Sequence, residues 1–289
     1  MRFQLLLLVL PLISCSSDPT PTAGGAVGGG GQGLLYFGLS VSLEIHKFNL
    51  ATGEDKMLGK GDGPFSTPTG SLIFATPTDL AEANEDLASH RVIVKSDIGI
   101  EKSNNGFIGP QLSPDGTRIV YVTVENNMYV ANRADGKILV RMEATGATDG
   151  WHRPTWTPDG RVVAAGGFGN PGLFISDADI KTMTRFDPKL AQPRDPAVSP
   201  DGTKVVFVLN DRLHLIGIDG GGLKRIDASE DKDSQPSWSP DGSKVIYRVG
   251  GRMKVMPAEG GAATDLFDAF PSLKDRHLVL SGSHPVHWK

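Results

Sequence analysis

The sequence predicts an all-β fold, a six-bladed β-propeller closed by joining strands from the two ends of the chain in one blade. Three observations predict it. The tetrapeptide Ser239-Pro240-Asp241-Gly242 has clear copies at Ser113-Pro114-Asp115-Gly116, Thr157-Pro158-Asp159-Gly160 and Ser199-Pro200-Asp201-Gly202, and a worn one at Thr67-Pro68-Thr69-Gly70. Each copy follows an upstream proline at a fixed interval (Pro64, Pro110, Pro154, Pro196, Pro236), and these prolines stand 46, 44, 42 and 40 residues apart. Each period also holds β-branched and aromatic runs such as Arg118–Val122, Lys204–Val208 and Lys244–Arg248. A repeat of about 40–45 residues carrying several short strands is the signature of propeller blades.

The turn itself has a mechanical reading. Proline presets φ for the first corner of a type I turn, aspartate accepts from the backbone two residues on, and glycine takes the left-handed conformation that follows. Asp115, Gly116, Asp159, Gly160, Asp201, Gly202, Asp241 and Gly242 are therefore structural turn residues joining adjacent antiparallel strands. Calcium or acid–base roles for the four aspartates are the alternative, but hairpin geometry alone selects one such aspartate per blade.

Taken in order, residues 1–14 read as a leader: Arg2 precedes the apolar run Leu5–Ile13, too short for a permanent membrane span. Its end, Leu12-Ile13-Ser14-Cys15, resembles the lipobox of bacterial lipoproteins. That resemblance implies lipidation of Cys15, and with Ser16 in place of aspartate it implies delivery to the outer membrane of a bacterial envelope. An ordinary signal peptide is the alternative. Cys15 is the single cysteine, so no intramolecular disulfide forms. Residues 15–33 are expected to be a lipidated cysteine and a disordered Gly-rich tether, whose flexible chain spans roughly 20–25 Å.

Residues 34–289 are expected to form the propeller, with enough chain for a sizeable core. The formal net charge of −4 and the lack of a basic run argue against nucleic acid as a partner. Five prolines open five blades. The leftover ends fit together: residues 34–58 read as the outer three strands of a blade, and His284-Pro285-Val286-His287-Trp288-Lys289 as its inner strand. Closure through both termini removes a free sheet edge.

Pro-x-Trp-Ser/Thr-Pro-Asp-Gly followed by a Lys- or Arg-led strand resembles the PD40, or WD40-like, repeats of TolB-type six-bladed propellers. Pro154–Gly160 and Pro236–Gly242 carry the full motif, while Leu112 and Val198 stand at the tryptophan position of two other copies. The resemblance covers essentially residues 34–289 and implies a fold that serves many purposes. TolB proteins carry an α/β domain before the propeller and are soluble in the periplasm. A tether in that place and a lipid on Cys15 argue against a direct role in the Tol–Pal system.

On this fold, residues just before each opening proline crowd one mouth of the central channel. The candidate ligand- or partner-binding residues there are Asp62, Phe107, Trp151, His152, Arg153, Arg194, Asp195, Asp233, Gln235 and His284. Trp151-His152-Arg153 is the densest group, and tryptophan and arginine dominate binding hot spots. The alternative is that Trp151 packs over a blade edge and Arg153 pairs with a neighbouring aspartate. Capping and spacing in Pro77–Leu87 predict a short helix over the same mouth, a lid or a decorated loop. Gly166–Pro171 is a second contact loop.

Enzymatic signatures are sparse. Neither Gly-x-Ser-x-Gly nor His-Glu-x-x-His occurs. Gly53–Lys60 has the wrong spacing for a phosphate loop. His284 and His287 lie three apart, which on a strand sends them to opposite faces and argues against a shared metal. No cofactor is expected. The expectation is a membrane-anchored, non-catalytic binding or scaffold module for a protein, peptide or envelope component; a hydrolase or lyase with its site in the channel is the alternative.

Overall fold

A computed structural model describes residues 33–39, 42–95, 107–144, 150–228, 232–274 and 286–289. The leader, Cys15, residues 16–32 and His284 lie outside the described residues. Six antiparallel sheets of four strands each form the ring. Blade 1 runs from the inner strand Asp62–Ser66 through Leu72–Ala75 and Asp79–Ala83 to the outer His90–Lys95. The inner strands of blades 2 to 5 are Phe107–Leu112, Trp151–Trp156, Arg194–Val198 and Asp233–Trp238. Blade 6 is stitched from both ends. Its inner strand His287–Trp288 pairs with Leu34–Leu39, Tyr36 opposite His287, and Glu44–Asn49 and Asp55–Lys60 follow outward. Reciprocal backbone bonds join Leu34 and Lys289 at 3.0 and 2.8 Å.

Blades bury both faces, so their second strands are near-continuous apolar runs rather than alternating ones. Val206, Val208, Leu213 and Leu215 of blade 4 pack on Trp238, Val245, Tyr247 and Val249 of blade 5, and the other blade interfaces repeat this pattern. The motif tryptophans add a polar stitch. Trp156 Nε1–H donates to the Gln111 carbonyl at 3.0 Å and Trp238 Nε1–H to the Ala197 carbonyl at 2.9 Å, each on the preceding blade's inner strand.

The turns follow the sequence reading. Ser239 Oγ donates to Asp241 Oδ1 at 2.6 Å, Ser243 N–H donates to the same oxygen at 3.0 Å, and Gly242 takes φ 70°. Ser113 Oγ and Thr117 N–H treat Asp115 alike, as Ser199 and Thr203 treat Asp201. Thr157 Oγ1 and Arg161 hold Asp159. These hydroxyl and amide donors hold Asp115 and Asp241 down at about 2.

The helix expected over Pro77–Leu87 is not there: Asp79–Ala83 is the third strand of blade 1. A segment that short is marginal as a helix on its own, and here ladders to Leu72–Ala75 and His90–Lys95 satisfy its backbone instead. The loop after it lies on the turn-motif face, away from the mouth. From there Glu85 accepts from Tyr36 Oη at 2.5 Å and Lys47 Nζ at 2.6 Å, clasping blade 6 to blade 1. Two short helices that the sequence reading lacked, Leu266–Ala269 and Pro271–Lys274, lead from blade 5 towards blade 6 and seat Phe270 edge-on against Phe48 at 5.1 Å. No helix among the described residues is long and apolar enough to cross a membrane.

Candidate functional site

The site begins with a kink repeated around the ring. In blades 1 to 5 the inner strand breaks register with its neighbour at the opening proline. The residue before that proline is left-handed every time: Gly63 (φ 57°), Gly109 (φ 58°), Arg153 (φ 48°), Asp195 (φ 54°) and Gln235 (φ 52°). Glycine adopts this conformation freely; a side chain there costs about 1–2 kcal/mol. Blades 1 and 2 use glycine. Blades 3, 4 and 5 carry that strain and in return place an arginine, an aspartate and a glutamine side by side at the channel.

These three groups are linked. Arg153 Nε lies 2.7 Å from Asp195 Oδ1, with both side chains largely buried. Asp195 Oδ2 accepts from Arg194 Nη1 at 3.2 Å and from the Gln235 backbone N–H at 3.2 Å. Arg194 also reaches Asp211 Oδ1 at 2.5 Å and the Asp233 carbonyl at 3.3 Å. Arg248 Nη1–H donates to Gln235 Oε1 at 2.9 Å. Burial holds the Arg248 guanidinium below its ordinary pKa; the like charge of Arg153 adds to this and Asp195 opposes it.

Two spaces meet at Arg153 and Asp195. The channel interior, about 360 Å³, is lined by the inner-strand prolines with Trp156, Trp238 and Trp288. A mouth cavity of about 670 Å³ lies over blades 2 to 4, between Ile108, Asn126, His152, Arg194 and Phe168. Phe168, at the tip of the Gly166–Pro171 loop, is 68% exposed. Burial holds the His152 imidazole below its usual range, with Asp195 pulling it up and Arg153 pushing it down.

The structure therefore brings together His152, Arg153, Arg194, Asp195 and Gln235 of the residues expected at the mouth. Phe107 turns into the interface between blades 1 and 2, edge-on to Tyr121 at 5.2 Å. Trp151 packs edge-on against Phe174 at 5.5 Å, and Arg153 pairs with Asp195 on the next blade, as the packing alternative has it. Asp62 is buried, its Oδ1 accepting from Gly63 N–H at 2.7 Å. Asp233 is fully buried, and burial beside Asp227 pushes its carboxyl well above the usual carboxylate range.

Arg248 was not among the residues expected at the mouth. Its signal lay in register: the positions cross-paired with the residue before the left-handed one are Ala75, Val122, Ala165 and Val208 in blades 1 to 4, and Arg248 in blade 5. Among the described residues, no group of three or more histidine, cysteine or acidic side chains is placed to hold a metal ion. The arrangement supplies guanidinium and amide donors beside an exposed aromatic.

The profile of the family described as TolB beta propeller domain matches residues 95–259. A sequence comparison with curated proteins finds no match. Among solved structures, TolB from Acinetobacter baumannii is similar at 17% identity and a TM-score of 0.64, covering 89% of this chain; the chain spans 66% of that protein. A structure assigned as TolB from Agrobacterium tumefaciens is similar at 20% identity and a TM-score of 0.59, covering 81% of this chain and 88% of its own. Puromycin hydrolase is similar at 15% identity and a TM-score of 0.56, covering 80% of this chain and 43% of its own. At these identities the structural likeness speaks for the fold.

Proposed function

Starting from a chain that belongs to the TolB β-propeller domain family, we propose that this protein is a non-catalytic binding module that presents its channel-mouth face to a protein or peptide of the bacterial cell envelope. The observation that carries this reading is the mouth cavity beside Phe168, whose floor is built from side chains held in left-handed backbone. Strain of that kind persists where surrounding structure over-determines it, and it concentrates at ligand sites. A largely exposed phenylalanine beside the largely buried Arg153 and the half-buried Arg194 fits the anchor-and-donor composition of binding hot spots. A lipid on Cys15 would hold the module at the membrane, with the segment that follows as its tether.

The test is photo-crosslinking in intact envelopes from a photoreactive residue at Phe168, compared with the same residue at Asp135 or Asp219 on the turn-motif face. A partner captured from Phe168 and not from the other face supports the reading. Equal capture from both faces refutes it. Cys15→Ser is expected to move the protein from the membrane to the soluble fraction, and retention on the membrane would refute the lipid anchor.

A further inference from the structure

The described residues that line the mouth cavity are of three kinds. The charged ones are Arg153, Arg194, Asp195 and Asp211, two of each sign. They pair with one another: Arg153 Nε lies 2.7 Å from Asp195, and Arg194 lies 3.2 Å from Asp195 and 2.5 Å from Asp211. The exposed Lys232 adds a contact to Asp211 at 3.5 Å. The apolar ones include Ile108, cross-paired with Val122 on blade 2, and Phe168 at its loop tip on blade 3.

The third kind is polar and neutral. Asn126 and His152 are half-buried, and Gln192 and Asn210 are exposed. Their side chains make no hydrogen bond to another described residue, so their donors and acceptors are open to whatever enters. Burial keeps the His152 imidazole neutral, with one nitrogen donating and the other accepting. Side-chain amides likewise offer one donor group and one acceptor, which matches the N–H and C=O of a peptide main chain. A charged side chain entering here would lose its water against charges that already have partners.

We propose that the mouth cavity selects an uncharged stretch of its partner: an aliphatic or aromatic side chain enters beside Ile108 and Phe168, and the flanking main chain bonds to Asn126, His152 and Gln192. The inference rests on the mouth being the binding face, and it names the chemistry that face selects. A peptide suits the cavity better than a sugar. Among the described lining residues neither tryptophan nor tyrosine provides the broad flat platform on which a sugar ring stacks.

The experiment is ligand-observed NMR titration of the full chain in detergent. The probes are acetyl-Gly-Gly-Xaa-Gly-Gly-amide peptides, with Phe, Leu, Ala, Lys or Glu as Xaa, and N,N′-diacetylchitobiose as the sugar. The Phe or the Leu peptide is expected to saturate below about 10 mM. The Ala, Lys and Glu peptides are expected to bind at least ~10-fold more weakly, the scale of burying one apolar side chain. Raising salt from about 50 to about 500 mM should change the best affinity less than about twofold, because the contacts carry no net charge. No binding of the Phe and Leu peptides, equal binding of Lys or Glu, steep salt dependence, or tighter binding of the sugar overturns the proposal.

Two substitutions separate contact from folding. Phe168 is 68% exposed, so Phe168→Ala should fold normally and erase the preference for Phe or Leu over Ala. His152→Leu should weaken the preferred peptide ~5-fold, the scale of one hydrogen bond, while His152→Gln keeps a neutral donor and acceptor and stays within about twofold. A preference intact in Phe168→Ala, or equal losses in both His152 variants, overturns the proposal. The crosslinking test stands apart: capture from Phe168 without any preference among the peptides removes this inference alone, and apolar-peptide binding without capture removes the protein-partner reading.

Discussion

Acid should open this ring at its seam, and His287 should be the reason. His287 lies on the two-residue strand that closes blade 6, opposite Tyr36, with its ring 4.1 Å from that of Phe65 on blade 1. Burial pushes its pKa down to about 4; the charge on Lys289 adds to this, and a bond to the Ser66 backbone opposes it. The sign follows from that direction. The folded state prefers the neutral ring, so the stabilisation is complete above the unfolded value of about 6.5 and is lost as pH falls from there to about 4. A difference of some 2.5 pKa units at about 1.36 kcal/mol each gives roughly 3 kcal/mol, an upper figure because the ring keeps an edge towards the channel. Urea denaturation between pH 4 and 7.5, wild type against His287→Phe, isolates the effect, because the other titrating groups cancel in the difference. His287→Phe keeps an aromatic against Phe65 and removes the proton site. Its stability relative to wild type should rise by roughly 2–3 kcal/mol as pH drops from 6.5 to 4, and wild-type amide exchange should quicken first in Leu34–Leu39. Parallel curves for the two proteins would refute the argument.

Other consequences follow from the same geometry. Asp233→Asn replaces a buried carboxyl whose pKa is raised. The wild type loses stability as pH climbs from about 4 through that raised value, so the variant's advantage should be small at pH 4.5 and grow towards pH 8; a pH-independent difference by chemical denaturation would contradict this. Trp238→Phe deletes the hydrogen bond to Ala197 of blade 4 along with part of the packing between blades 4 and 5. It should cost about 1–3 kcal/mol in thermal or urea unfolding while leaving crosslinking from Phe168 intact, and an unchanged midpoint would count against the stitch.

How much of this was legible in the sequence depends on what each residue's role is local to. The turns are local: Ser239 through Ser243 form one self-contained hydrogen-bonded unit, so their spacing alone shows five of the six blades. Closure through both termini was legible too, because residues 284–289 read as an inner strand without its turn and residues 34–58 as the outer three strands of a blade. Asp79–Ala83 misled because helix spacing and capping are local cues, whereas the two strands flanking that segment decide its state. Phe107 and Ile108 are adjacent in sequence and look equally able to face the mouth. The pleat sends Phe107 into the interface and Ile108 to the cavity, and only the register says which goes where. Arg248 was hidden for the same reason, as one more residue of a β-run until its slot is compared across blades.

The kink before each opening proline joins fold to function. A propeller needs that kink five times here, and glycine at all five positions would satisfy the backbone without cost. Two blades do so, and three adjacent blades do not; those three supply Arg153, Asp195 and Gln235. Asymmetry of that kind serves no purpose in ring closure, since Gly63 and Gly109 close blades 1 and 2 with the same φ. Arg153→Gly separates the two demands. Relief of the left-handed strain, about 1–2 kcal/mol, should offset most of the ion pair it loses, and Asp195 keeps Arg194. The variant should therefore unfold within about 1 kcal/mol of wild type while losing partner capture from Phe168. A variant that instead lost several kcal/mol would show that the arginine is there to hold blade 3 to blade 4, and the three strained positions would then belong to the architecture and not to the ligand.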